Sequence, residues 1–236
     1  METPRETLVI ELSCHSPVGS GIKGKEKVTQ YINDQAKILN NKALINPATH
    51  LSPLYGLSGW APIKDGAIHV YAWDHEDTPQ SPFVSVDIST PTPIEIQTRE
   101  EIIESTIHHL DGIKEESVYK TSTESLAPRW RDLAPHIIRQ RLSMVGILGS
   151  EITNQQVADY MEALSVRLNM KQLSKPITYK DTAWMHWETS GVIASWNNKL
   201  KNINVEIYTC KAFSPEDAIN FTREKLKFTP LSIKNF

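Results

Sequence analysis

The chain repeats itself, and the repeat limits what it can fold into. At an offset of 129 positions Val28 meets Val157, Tyr31 meets Tyr160, Leu39 meets Leu168 and Asn40 meets Asn169. Lys42 with Lys171, Leu44 with Leu173 and Pro47 with Pro176 follow without a gap, giving seven identities in 20 positions, too many for chance. Two related halves fold as two copies of one supersecondary unit. Within the repeat, Val28, Tyr31, Ile32, Ile38 and Leu39 recur at helical spacing, as do Val157, Tyr160, Met161, Leu164 and Leu168. Each copy therefore carries an amphipathic helix here.

The likeness extends on both sides of that helix. Strand-like runs precede it, Leu8 to Leu12 in the first copy and Leu142 to Leu148 in the second. A pair of β segments follows: Ala67 to Trp73 and Phe83 to Ser89, then Gly191 to Trp196 and Ile203 to Thr209. Val86-Asp87-Ile88-Ser89 alternates in step with Val205-Glu206-Ile207-Tyr208, with the acid at the same point of the period. A second helix closes each copy, with capping-box starts at Thr98-x-x-Glu101 and Ser214-x-x-Asp217 and with Ile103 equivalent to Ile219. The predicted fold class is α+β: antiparallel sheets with helices on one face, two copies forming a four-layer α-β-β-α sandwich with pseudo-twofold symmetry. The first module spans residues 1–112 and the second 139–236. Residues 113–138, polar and containing Pro128 and Pro135, read as the linker.

Composition narrows the function classes. A hydrophobic fraction of 39% with 22% charge and a mean hydropathy of -0.36 describe a globular protein with material for a sizeable core. A formal charge of -3 with no basic stripe argues against nucleic acid. Met1 to Glu6 lacks the basic start and apolar run of a signal peptide, and no apolar stretch reaches the roughly 20 residues of a membrane span, so a cytoplasmic location is expected. In that reducing compartment Cys14 and Cys210 are expected to be thiols.

Residues 50–68 run His-Leu-Ser-Pro-Leu-Tyr-Gly-Leu-Ser-Gly-Trp-Ala-Pro-Ile-Lys-Asp-Gly-Ala-Ile, and the second copy contains Val205-Glu206-Ile207-Tyr208-Thr209-Cys210. These resemble the S-adenosylmethionine decarboxylases, whose bacterial members carry Gly-Val-Ser-Gly before a Glu-Ser-His strand, and Val-Asp-Val-Phe-Thr-Cys after it. Asp65-Gly66 followed by Ile68-His69 also resembles the non-cleaving half of the eukaryotic enzyme. In that family a serine undergoes backbone cleavage and becomes a pyruvoyl group, whose carbonyl forms a Schiff base with the substrate amine and acts as electron sink.

The resemblance assigns roles position by position. In the first copy the cleavage position is Gly66, which has no hydroxyl, while Ser58 keeps the processing-serine position and Tyr71 takes the histidine position. His69 lies two residues earlier on the same strand face. After an insertion around Asp77 to Ser81, the cysteine position is Pro91. In the second copy Ser190 falls on the cleavage position and Cys210, the implied proton donor, on the family's spacing. There Thr182 replaces the processing serine, Ser195 the histidine and Thr189 the preceding acid, with Glu188 one residue further back. The resemblance thus implies a composite site in which Ser190 and Cys210 face Ser58 and His69 or Tyr71. Substrate binding falls to Tyr55 and Trp60, since the family's stacking aromatic is Leu51 here, to Asp74 and Glu76 of the Asp74-His75-Glu76 cluster, and to Glu11.

Simpler readings stand beside these. Ser190 fits a turn before a glycine, Cys210 a packing residue, His69 a structural histidine, and Ser58 a hydroxyl bonding its own backbone. His108-His109 lacks a third ligand at metal spacing, so no metal is expected. Glu115-Glu116 reads as a solvated pair, and Gly19-x-Gly21-x-x-Gly24 lacks the βαβ context of a dinucleotide loop. Trp184 and Trp187 flank His186 either in the core or along an adenosine pocket. Three functions follow: a pyruvoyl-dependent decarboxylase of S-adenosylmethionine or a related amino acid, cut before Ser190; a non-cleaving homologue binding S-adenosylmethionine or a polyamine; or a lyase that cleaves the sulfonium substrate without a pyruvoyl. The expected partner is a small molecule, with neither nucleic acid nor membrane, in a monomer or homodimer.

Overall fold

The computed structural model describes residues 5–19, 21–53, 56–64, 66–73, 82–122 and 132–235. The chain divides into two units, Met1–Pro135 and His136–Phe236. The first holds β1 (Glu6–Cys14), α1 (Gly21–Ile38), β2 (Ala48–Ser52), β3 (Gly56–Ile63), β4 (Gly66–Trp73), β5 (Phe83–Thr90), α2 (Ile96–Leu110) and β6 (Gly112–Thr121). The second holds β7 (Gln140–Leu148), α3 (Asn154–Arg167), β8 (Ile177–Tyr179), β9 (Thr182–Trp187), β10 (Ser190–Asn197), β11 (Asn202–Thr209), α4 (Pro215–Leu226) and β12 (Phe228–Asn235).

Each unit is one antiparallel six-stranded sheet with two helices. The strand order is β2-β3-β4-β5-β1-β6 in the first and, read in the same direction, β8-β9-β10-β11-β7-β12 in the second. The α+β class and the duplication are thereby established. The repeat persists to single hydrogen bonds. The buried phenol of Tyr31 meets the Thr106 hydroxyl at 2.8 Å and that of Tyr160 meets Thr222 at 2.8 Å, each tying the first helix of its module to the second. Glu6 accepts from the Ile94 backbone N–H at 3.0 Å, as Gln140 accepts from that of Phe213 at 2.9 Å. Asn40 and Asn169 both take a left-handed backbone just past their helices, a conformation asparagine tolerates better than most residues.

Alternation sorts the strand residues onto two faces. In the first module Leu8, Ile10, Leu12, Ile68, Val70, Val84, Val86 and Ile88 join Val28, Tyr31 and Ile32 of α1 in one core. A Cβ at Gly59 would strike the Val28 side chain, so α1 lies directly on β3 and only glycine fits beneath it. In the second module Leu142, Met144, Met185, Val192, Val205 and Ile207 pack against Val157, Met161 and Leu164 in the same way.

Two expectations need correction. The first part of the stretch 113–138, up to residue 121, is strand and not linker: β6 pairs with β1 from Leu8↔Thr121 to Leu12↔Ser117. Its polar look is that of an edge strand, with Lys114 and Glu115 exposed. Nor does Thr98 cap α2, which starts at Ile96 with Glu95 at the cap position and no side-chain cap. Ser214 does cap α4, accepting from Asp217 N–H, whereas the reciprocal capping box belongs to α3, where Thr153 and Gln156 form it.

The Tyr–Thr pairs give a stability test. Each threonine hydroxyl donates to a helix carbonyl, Thr106 to Ile102 at 2.6 Å and Thr222 to Ala218 at 2.7 Å, so the phenol is left to donate to the threonine oxygen. Tyr31→Phe and Tyr160→Phe should each cost about 1 kcal/mol in urea unfolding. A cost in only one of the two would contradict the equivalence of the pairs.

Candidate functional site

The face of the first sheet opposite its helices carries the polar residues, and strand register arranges them in rows. One row runs Glu11↔Ser85 across β1 and β5, Ser85↔Tyr71 across β5 and β4, Tyr71↔Ser58 across β4 and β3, and Ser58↔His50 across β3 and β2. The next runs Val9↔Asp87, Asp87↔His69 and His69↔Trp60. Residues directly opposite each other in such pairs have Cβ atoms about 5 Å apart. Five sequence-predicted residues, Glu11, Ser58, Trp60, His69 and Tyr71, therefore share one face on two adjacent rows. Tyr55, Asp74 and Glu76 lie outside the described residues.

This face is buried as well as polar. Glu11 is 0% exposed, Trp60 1%, Tyr71 6%, Asp87 7% and His69 8%. The row runs out to half-buried His50, whose backbone carbonyl accepts from the Ser58 hydroxyl at 3.4 Å. The His69 imidazole stacks on the Trp60 indole at 6.4 Å with 13° between planes, and Tyr71 meets Trp73 edge-on at 5.7 Å. Arg5 reaches the same face from beyond the start of β1, donating to the Ser89 hydroxyl at 3.3 Å. Two carboxylates, a guanidinium, hydroxyls and flat aromatic surfaces are thus gathered together. In the sequence Asp87 stands only as a repeat marker, and its alternation with Val86 and Ile88 is the signal that it faces away from the core.

Burial pushes the His69 pKa down from 6.5 to about 3, which keeps the ring neutral at physiological pH but makes it a weak base. A ring with so little affinity for a proton is a poor general base.

In the second module Ser190 opens β10, paired with Trp187 across the hairpin and with Thr209 across β10 and β11. Cys210 follows Thr209 and is half-buried, so the two residues do sit at neighbouring strand ends. The Ser190 side chain, however, is in phase with Val192 and Ala194 of the helix-side core. Its hydroxyl donates to Thr209 at 2.8 Å, and Thr209 donates in turn to the Lys211 carbonyl at 3.1 Å. Among the described residues that chain of hydroxyls contains no imidazole or carboxylate. The first module has the same strand-end lock, Thr90 donating to the Thr92 carbonyl at 2.7 Å, where Gly66 stands in for Ser190.

The predicted equivalences follow from the paired hairpins. Ser58 opposes Tyr71 as Thr182 opposes Ser195, and Ile63 pairs with Gly66 as Trp187 pairs with Ser190. The same register makes Trp184 the counterpart of Trp60 and Ile193 that of His69, an indole match present in the sequence at the Ser58 and Thr182 alignment but not drawn from it.

No family model and no curated protein matches the chain. Among solved structures it aligns with DynU16, from the dynemicin biosynthetic locus, at 8% identity over 93% of this chain and 94% of that one, with a TM-score of 0.21. It aligns also with the ligand binding domain of the Pseudomonas aeruginosa PAO1 amino acid chemoreceptor PctB in complex with L-Arg, at 12% identity over 94% and 72%, with a TM-score of 0.15. Neither likeness bears on the fold or function of this chain. Among the described residues no helix is long and apolar enough to cross a membrane.

A pH titration of stability tests the burial of His69. Because its folded pKa of about 3 lies below the ordinary 6.5, the unfolded chain takes up a proton between those values that the folded chain does not. Stability should fall as pH drops through this window, by up to about 1.4 kcal/mol per unit from this group. His69→Gln should flatten that slope. An unchanged slope would mean that the ring is protonated in the fold.

Proposed function

We propose that the chain is a non-cleaving homologue of the S-adenosylmethionine decarboxylase half-module, and that it binds S-adenosylmethionine on the polar face of its first sheet. The observation that carries this reading is the Asp87–His69–Trp60 row lying beside the Glu11–Ser85–Tyr71–Ser58 row. The ligand has an ammonium and a sulfonium, for which Asp87 and Glu11 supply carboxylates. Its carboxylate matches the Arg5 guanidinium at the end of the face, and its adenine matches the aromatic surfaces of Trp60 and Tyr71, which also favour a nearby cation. A polyamine would use the acids but neither the aromatics nor Arg5.

A pyruvoyl group does not fit the residues around Ser190. Its formation requires activation of the serine hydroxyl and removal of an α-proton, and the Ser190 hydroxyl is tied into the Thr209 lock. One observation favours the self-cleaving reading all the same. Thr189, whose carbonyl Ser190 would attack, has φ 56, and a β-branched residue held there stores strain on the order of 1–3 kcal/mol. A lyase acting without a pyruvoyl would use the same first-module face and would consume the ligand during titration.

Calorimetric titration of the full chain with S-adenosylmethionine, with spermidine as comparator, tests the proposal. Binding should be saturable, weakened at least about tenfold by Asp87→Asn, and weakened less by Trp60→Phe, with thermal unfolding confirming that each variant folds. Equal affinity in wild type and Asp87→Asn would sink the reading, and a preference for spermidine would move it to polyamines.

A further inference from the structure

We infer that the second module holds a small-molecule site of its own, a cavity between α3 and the end of α4 that takes a zwitterionic α-amino acid with an apolar side chain. The inference is independent of the first-module reading and rests on a difference between the two copies of one corner of the fold.

The corner lies where the second helix of each module ends beside the turn that leads into the first. Both copies are built alike. Asp111 and Lys227 end their helices in the left-handed conformation, and their carbonyls accept from the His15 and Gly149 N–H groups at 2.9 and 3.0 Å. In the first module two carboxylates tie the corner together: Asp34 meets His109 at 3.4 Å, joining α1 to α2, and Asp111 accepts from the Ser16 hydroxyl at 2.6 Å. The repeat puts Ala163 at the position of Asp34, Lys225 at that of His109, Lys227 at that of Asp111 and Ser150 at that of Ser16. Both carboxylates are gone from the second copy, and two ammonium groups stand at the end of α4.

The second copy of the corner opens into a cavity of about 370 Å³. Its floor is apolar, made by the buried Ile152, Tyr160 and Leu226 with Ala163 half-buried beside them. Charge is sorted by wall: Glu151 and Asp159 stand before and along α3, Lys225 and Lys227 at the end of α4. Among the described residues no ion pair crosses between these walls. Asp159 accepts from the Gln155 side chain at 2.7 Å on its own helix, and the Lys225 ammonium lies over the Phe221 ring at 5.6 Å. A dianion would be repelled by the acids and a dication by the lysines. A zwitterion suits both walls: its carboxylate stands at the lysines in place of Asp34 and Asp111, its ammonium meets the acids, and an apolar side chain covers the floor. All four charged groups are exposed, so solvent screens them and the affinity is low.

The test is an NMR titration of the full chain with L-leucine, read at the backbone amides. Saturable shifts are expected at the residues lining the cavity, from Ser150 to Ala163 and from Lys225 to Lys227. L-leucinamide, which lacks the carboxylate, and N-acetyl-L-leucine, which lacks the ammonium, should each bind at least about tenfold more weakly. Ala163→Asp restores the first module's carboxylate beside Lys225 and should abolish the shifts, with a thermal unfolding midpoint no lower than that of the wild type. Lys225→Met should weaken binding, and Asp87→Asn should leave it unchanged. The comparison of leucine with its two derivatives uses the wild-type chain, so it decides the matter even if a variant fails to fold. Absence of saturable shifts, equal binding of leucine and leucinamide, or shifts that survive in a folded Ala163→Asp chain would overturn the inference. Shifts lost on Asp87→Asn would also overturn it, by placing the amino acid on the first module's sheet.

Discussion

Strand register is the constraint on which the rest of this molecule depends. Side chains alternate along a strand, so a slip of one residue in β4 would turn Ile68, Val70 and Ala72 away from α1 and drive His69 and Tyr71 into the core. What fixes the register is the fit of the first helix of each module, which brings Val28 against Gly59 and anchors its tyrosine on the threonine of the second helix. The hydroxyl pair and the tight glycine contact hold the helices on the sheet in this register, which brings Glu11, Asp87 and the rings of Trp60, His69 and Tyr71 to one face.

The same alternation separates the chemistry of the two modules. The resemblance expects Ser190 to be a self-cleaving serine with a neighbouring cysteine, yet its phase places the hydroxyl on the core side of the sheet, within a lock that also closes the strand end in the first module. Sequence spacing sets how far apart two residues are along a strand but not which polar groups share a face with them. Thr182 and Ser195, which the resemblance sets at the processing positions of this half, bond to each other at 3.3 Å on the opposite face.

The duplication was legible in the sequence because Tyr31 and Tyr160, or Asn40 and Asn169, sit at positions where little else works: a buried hydroxyl coupling two helices, and a left-handed residue ending one. The central strands were legible from their apolar alternation. The edge strands were not, since Lys114 and Glu115 of β6 face solvent and read as linker, and β12 is mostly exposed. Thr98-x-x-Glu101 matches a capping signature, but α2 begins before it, so the motif lies inside the helix. Of the candidate site, Glu11, Ser58, Trp60, His69 and Tyr71 were named and do share a face. Asp87 was visible and not assigned to the site, because cross-strand partners depend on hairpin register, which is not written in local spacing.

The central claim is that the chain works intact, through bound ligand and not through a pyruvoyl group. Intact mass of the purified protein after long incubation, with and without hydroxylamine, tests this most directly. The account predicts one uncleaved species of 26.7 kDa that hydroxylamine leaves unchanged. Two fragments meeting at the Thr189–Ser190 bond, the C-terminal one gaining a hydroxylamine adduct, would contradict it.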